Sequence, residues 1–187
     1  MKKAFHGCCL LLAGLLLAGC NQLTSYTIGE NDINQALQKR DKFEKQIGVD
    51  GLLNAHITLD QLQSQIGREE PGKITLTGHA NVAITSLLGS QKADMQLKMK
   101  AQPVYDARQG AIFLRDLELV DSRVQPENMQ APLKTLTPYL NSSLKQWFDV
   151  HPAYVLSSER SKAELMAKKL AKGLEVKPGE LVIPFTD

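Results

Sequence analysis

The chain has 187 residues, 43% of them apolar, and its 22 lysines and arginines nearly balance 20 aspartates and glutamates, for a formal net charge of +2. That length suffices for one domain with its own core, and the balance excludes the basic footprint that nucleic acid requires. The three cysteines, Cys8, Cys9 and Cys20, all lie at the start, which leaves no disulfide framework and no cysteine metal site for the rest of the chain.

Lys2 and Lys3 precede an apolar run, Leu10 to Leu17, that closes on Ala18 and Gly19. This is the order of an export leader: positive region, apolar region, small-residue cleavage site. The run is too short for a membrane span. Leu17-Ala18-Gly19-Cys20 resembles the lipobox of bacterial lipoproteins, in which the cysteine thiol receives a diacylglyceryl group, the leader is cut before it and the new amine is acylated. Residues 1–19 are therefore read as a signal peptide, 20–26 as a lipidated tether and 27–187 as a single domain. Removing Lys2 and Lys3 leaves 20 basic against 20 acidic side chains, a neutral balance in which no polybasic patch for anionic lipid is expected.

Thr27 and Glu30 have capping-box spacing before a first helix that carries Ile33, Leu37 and Phe43 and ends by Gly48 to Gly51. From Ile57 the period becomes two and runs raggedly to Ile66, and Gly67 to Gly72 reads as a turn. A long half-buried strand follows, with Ile74, Leu76, Gly78, Ala80, Val82 and Ile84 on one face. After Leu88-Gly89-Ser90 the alternation repeats through Ala93, Met95, Leu97, Met99 and Ala101. A fourth strand passes through Ile112, Leu114, Leu117 and Leu119, and its frame slips at Arg115-Asp116 as a bulge requires.

Strands joined by short turns make an antiparallel meander with one apolar face, which another layer must cover. Met129, Leu133, Leu136, Leu140, Leu144, Trp147 and Phe148 keep near-helical spacing and supply that layer, with Pro138 expected to kink or split the helix. Tyr154 to Leu156 reads as a strand, Ser161 with Glu164 as the capping box of a last helix, and the segments about Pro178-Gly179 as a closing hairpin with Pro184 on an edge. The fold class expected is α+β, a curved antiparallel meander with a long amphipathic helix on its apolar face.

The chain carries little recognisable chemistry. His56, His79 and His151 lack the i, i+4 spacing of a zinc helix, and Glu69 and Glu70 are turn neighbours that point apart rather than flanking one bond. Ser90 lacks the glycines of a nucleophile elbow, and residues 67–72 lack the Lys-Ser/Thr of a phosphate loop. No enzyme, cofactor or metal is expected. One pattern suggests binding: Gly78 and Ala80 are small residues amid large ones, beside the adaptable Met95 and Met99. They either open an apolar groove with Leu140 on its helical wall, or let the helix approach closely in a filled core. Trp147, Phe148 and Tyr154 fit a core better than a ligand cage.

The tracts Cys20 to Thr24, Ser64 to Pro71, Gly89 to Ala93, Val124 to Glu127, Met166 to Lys169 and Glu180 to Asp187 resemble the YceB-like lipoproteins of enteric bacteria, a family of unknown function. The resemblance implies a fold similar to the tubular lipid-binding (BPI-like) proteins, where a long helix lies in a curved sheet around an apolar groove. With Asn21 rather than Asp after Cys20, it also implies sorting to the outer membrane, on its periplasmic face. The partners it implies are the membrane holding the anchor, an apolar small molecule or lipid, and, in the alternative of an accessory envelope tether, a protein partner.

Overall fold

The computed structural model describes residues 24–39, 42–49, 53–86 and 89–186; the leader, Cys20 and the first tether residues lie outside these. The period-two segments form one antiparallel sheet of six strands in chain order: β2 Phe43–Val49, β3 Leu53–Ile66, β4 Ile74–Ser86, β5 Gly89–Asp106, β6 Ala111–Gln125 and β7 Tyr154–Val155. Helix α2, Gln130–Val150, buries Leu133, Leu136, Leu140, Leu144 and Phe148. It touches β6 and also β2, on the opposite side of the sheet. Phe43 of β2 meets Trp147 of α2 edge to face, with ring centroids 6.0 Å apart. A sheet whose two sides reach one helix is curved around it, and the expected α+β architecture is the one observed.

The inward positions of the meander are the expected ones. Ile74, Leu76, Ala80, Val82 and Ile84 on β4, and Ala93, Met95, Leu97, Met99 and Ala101 on β5, are all buried in one core. The ragged stretch of β3 is a register shift between Asp60 and Gln63, where Gln61 adopts a φ of 51°. The slip on β6 is real too: Asp116 has a φ of 50°. Pro138 does not split α2, which runs unbroken past it.

Several expectations give way. The domain begins inside the segment read as tether, because Ser25 and Tyr26 belong to β1, Ser25–Gly29. β1 pairs with β9, Glu180–Pro184, which pairs in turn with β8, Glu175–Lys177, in a second, three-stranded sheet. β9 is thus the central strand rather than an edge, and Pro184 is tolerated there as its last residue. Thr27 sits within β1 opposite Val182, so it caps nothing. Helix α1, Glu30–Gln38, starts after Gly29, whose N–H donates to Asp32 Oδ2 at 3.0 Å. Glu30 instead accepts from the Ile66 N–H at 2.9 Å and Arg68 Nε at 3.0 Å, a link to the other sheet. Phe43 belongs to β2, a strand not anticipated from the sequence.

Helix α3, Lys162–Leu170, has half of its expected capping box. Ser161 Oγ accepts the Glu164 N–H at 3.1 Å. The Glu164 carboxylate, only 4% exposed, accepts instead from Tyr26 Oη at 3.0 Å, Tyr154 Oη at 3.1 Å and the Ser157 N–H at 2.7 Å, with the Arg160 guanidinium 3.3 Å away. One carboxylate thereby joins β1, β7 and α3.

Candidate functional site

Space for a ligand lies between β6 and the N-terminal half of α2. Ile112, Leu114 and Leu117 of β6 are fully buried, whereas its next apolar positions, Leu119 and Val124, are only half-buried. The cause is local. Pairing of β5 with β6 shifts between Lys98 and Met99, which leaves Val120 out of register. Here the Leu119 N–H donates to Asn141 Oδ1 of α2 at 2.7 Å. Arg115 Nη1 donates to the Asp149 carbonyl at 2.6 Å, and Lys145 Nζ lies 3.4 Å from Asp116 Oδ1. These contacts bind helix to strand from Asn141 to the helix C-terminus. On the other side of Asn141 a cleft of about 600 Å³ opens.

The cleft has an apolar side, Met95, Leu119, Val124 and Leu133, and a polar rim with Glu118, Asp121 and Lys134. Its size falls within the ordinary range for small-molecule sites. Pro138 also lines it and has no N–H to give the Lys134 carbonyl, so one turn of the helical wall lacks a backbone bond. An arrangement with an apolar wall and charges at its mouth suits a molecule that has a tail and a polar head. A smaller cleft of about 500 Å³ lies at the β2 side, with Phe43, Leu62 and Trp147 in its wall.

Of the five residues expected to line a groove, the structure brings only Met95 to the larger cleft. Ala80, Met99 and Leu140 are buried within the core. Gly78 leaves no space toward the core, where a β-carbon would meet Leu59 Cδ1 at 2.9 Å and Leu62 Cδ2 at 3.0 Å, although it borders a separate cleft of about 420 Å³ with Gln61, Gln63 and His79. The bulge in β3 rotates Leu62 into the room that the glycine provides. Leu119, Val124, Leu133 and Asn141 were not singled out as a site, although the frame slip on β6 and Pro138 on the helix are its marks in the sequence. Asn141 reads in the sequence only as part of a sequon without meaning in a bacterial envelope; its amide in fact holds one end of the cleft together. Replacing it with alanine leaves the Leu119 N–H without its acceptor and is expected to cost about 1–3 kcal/mol in urea denaturation.

The histidines stand apart, His151 with its Nδ1 2.8 Å from the Trp147 carbonyl oxygen and the other two beside carboxylates. His56 Nε2 is 2.8 Å from Glu44, while His79 Nδ1 is 3.2 Å from Asp60 and its Nε2 is 3.7 Å from Asp94. Among the described residues no group of three or more histidines, cysteines or acids is placed to hold a metal ion, and no helix is long and apolar enough to cross a membrane.

Residues 28–180 match the family described as "Protein of unknown function (DUF1439)". A protein of Salmonella typhimurium named "Uncharacterized lipoprotein YceB" is 60% identical over 187 residues, and one of Escherichia coli with the same name is 59% identical, each over 100% of both chains. Among solved structures, a lipopolysaccharide binding protein aligns with 87% of this chain and 49% of its own length, at 10% identity and a TM-score of 0.35. At that distance the likeness fixes neither fold nor ligand. The family match over most of the chain and the full-length identity to the YceB lipoproteins agree with the resemblance in the sequence: the chain belongs to the DUF1439 family.

Proposed function

We propose that the mature protein is an envelope lipoprotein, anchored through acylated Cys20 to the periplasmic face of the outer membrane, that holds one amphiphilic ligand in the cleft between β6 and α2. The lipobox and the lipoprotein name carried by relatives at about 60% identity support the anchor. Three acyl chains exceed the two signals that stable attachment needs, and Asn21 favours the outer membrane over retention at the inner one. The observation that carries the ligand reading is the cleft itself: about 600 Å³ with an apolar wall and a charged mouth, whereas the core beside Gly78 is filled by Leu59 and Leu62. The reading names no nucleophile and no bond to be broken; the activity is binding.

The test is mass spectrometry under native conditions on mature protein purified from envelopes, followed by lipid extraction. An amphiphile is expected in roughly stoichiometric amount. Val124→Trp places an indole on a half-buried wall with room beside it, so it should abolish that co-purification and displace little of the core. If the wild-type protein carries no lipid and takes up no fluorescent fatty-acid probe, the ligand reading fails. The accessory-tether alternative, which the filled interior beside Gly78 favours, then stands in its place.

A further inference from the structure

We propose that the end of the domain nearest the anchor, comprising Lys168, Lys169, Leu170 and Lys172, docks on the membrane by binding anionic phospholipid headgroups. This rests on the Cys20 anchor proposed above. Thr24 lies only four residue steps from Cys20, a reach of about 14 Å at most. Thr24 is fixed by its carbonyl, which accepts the Phe185 N–H at 2.8 Å, and the neighbouring Pro184 carbonyl accepts the Lys172 N–H at 2.9 Å. The anchor therefore enters the domain beside the C-terminal end of α3.

That end carries uncompensated charge. Lys168, Lys169 and Lys172 are exposed, and among the described residues none is in an ion pair. Three lysines elsewhere are neutralised: Lys73 and Lys100 pair with Glu70 at 2.6 and 3.0 Å, and Lys98 with Glu69 at 2.9 Å. The acid of α3, Glu164, is buried in its tyrosine cluster and offers the surface no negative charge. Leu170, 45% exposed, stands among these lysines, the mix of apolar and cationic side chains that settles at a headgroup boundary. The neutral total of the mature chain, from which no basic patch is expected, thus hides a local excess of charge, three exposed lysines at the C-terminal end of α3. A short tether makes docking effectively intramolecular, so a few weak charge contacts suffice. The cleft lies toward the other end of β5 and β6. Met95 lies roughly 35 Å along β5 from the turn at Gly110, at about 3.3 Å per residue.

The experiment uses the mature acylated chain in vesicles of phosphatidylcholine alone or of two parts phosphatidylcholine to one of phosphatidylglycerol. The rate at which a membrane-impermeant acylating reagent modifies Lys169 and Lys172 is read by mass spectrometry, with exposed Lys92 as the internal reference. Docking predicts about tenfold slower modification in the anionic vesicles, with recovery in about 1 M salt, where the Debye length is about 3 Å. Equal rates in both vesicles, with the protein floating alongside them, would overturn docking and leave the anchor intact. A protein that fails to float with the neutral vesicles would overturn the anchor, and docking with it. Lys169→Glu with Lys172→Glu spares Lys168, whose stem packs against Gly110. That variant should float as before but lose protection at Lys168; undiminished protection there would also overturn the proposal.

Discussion

Replacing Glu164 with alanine is expected to lower the stability of the domain by about 3–5 kcal/mol. The carboxylate is the acceptor for two phenols, from β1 and β7, and for a backbone N–H in the loop that follows β7. Each bond to a charged acceptor contributes about 1.5–3 kcal/mol, and each buried donor left alone adds its own desolvation cost. Arg160 adds little to that sum: its side chain is 49% exposed, can find water instead, and keeps its bond to the Val155 carbonyl. Urea denaturation measures the loss, and Glu164→Gln should recover part of it by restoring one acceptor oxygen. An alanine variant within about 1 kcal/mol of wild type would show that the cluster does not hold β1 to α3.

The same cluster sets an alkaline limit. Burial pushes the Tyr26 phenol well above the usual value of about 10, and its bonds with Tyr154 and Glu164 push it further in the same direction. The fold therefore favours the neutral phenol. Its contribution is fully present below about pH 10, the unfolded value, and declines as pH rises beyond it. Denaturation midpoints should fall above that pH in the wild type and fall less steeply in Tyr26→Phe.

The elements legible in the sequence are those whose signal is local. β4 and β5 alternate cleanly over a dozen or more residues, and the apolar stripe of α2 repeats over several turns, so period alone identifies both and makes one the cover of the other. What the sequence conceals is long-range. β1 acquires its partner from the far end of the chain, and Glu30, with the right spacing for a cap, is diverted to Ile66 and Arg68. Among the described side chains of β2 only Phe43 is fully buried and Ile47 half-buried, with Gly48 following, so the two-residue period is too short to register. The charge of α3 escapes for a related reason. Lysine counts are local, but which lysines are neutralised depends on where the folded chain places the acids.

The small residues of β4 show the same limit and supply the most direct test of where space lies. Gly78 and Ala80 mark close approach, yet from sequence the approaching body could be a ligand, the helix or a neighbouring strand. The register shift in β3 decides between them by turning Leu62 toward Gly78. Gly78→Leu with Ala80→Leu should therefore behave as an overpacked core. The first side chain begins at 2.9 Å from Leu59 Cδ1, and the second enters a site with no exposed surface, between Leu59 and Met95. At about 1–3 kcal/mol each, the pair should cost about 2–6 kcal/mol. At about 2–4 °C per kcal/mol for a domain of this size, that is a fall of roughly 4–24 °C in melting temperature. Val124→Trp, in the β6–α2 cleft, should shift the melt little while removing the bound amphiphile. The opposite pattern, a neutral double variant that loses its lipid and a destabilised Val124→Trp that keeps it, would return the binding site to the face of β4 and leave the β6–α2 cleft without a role.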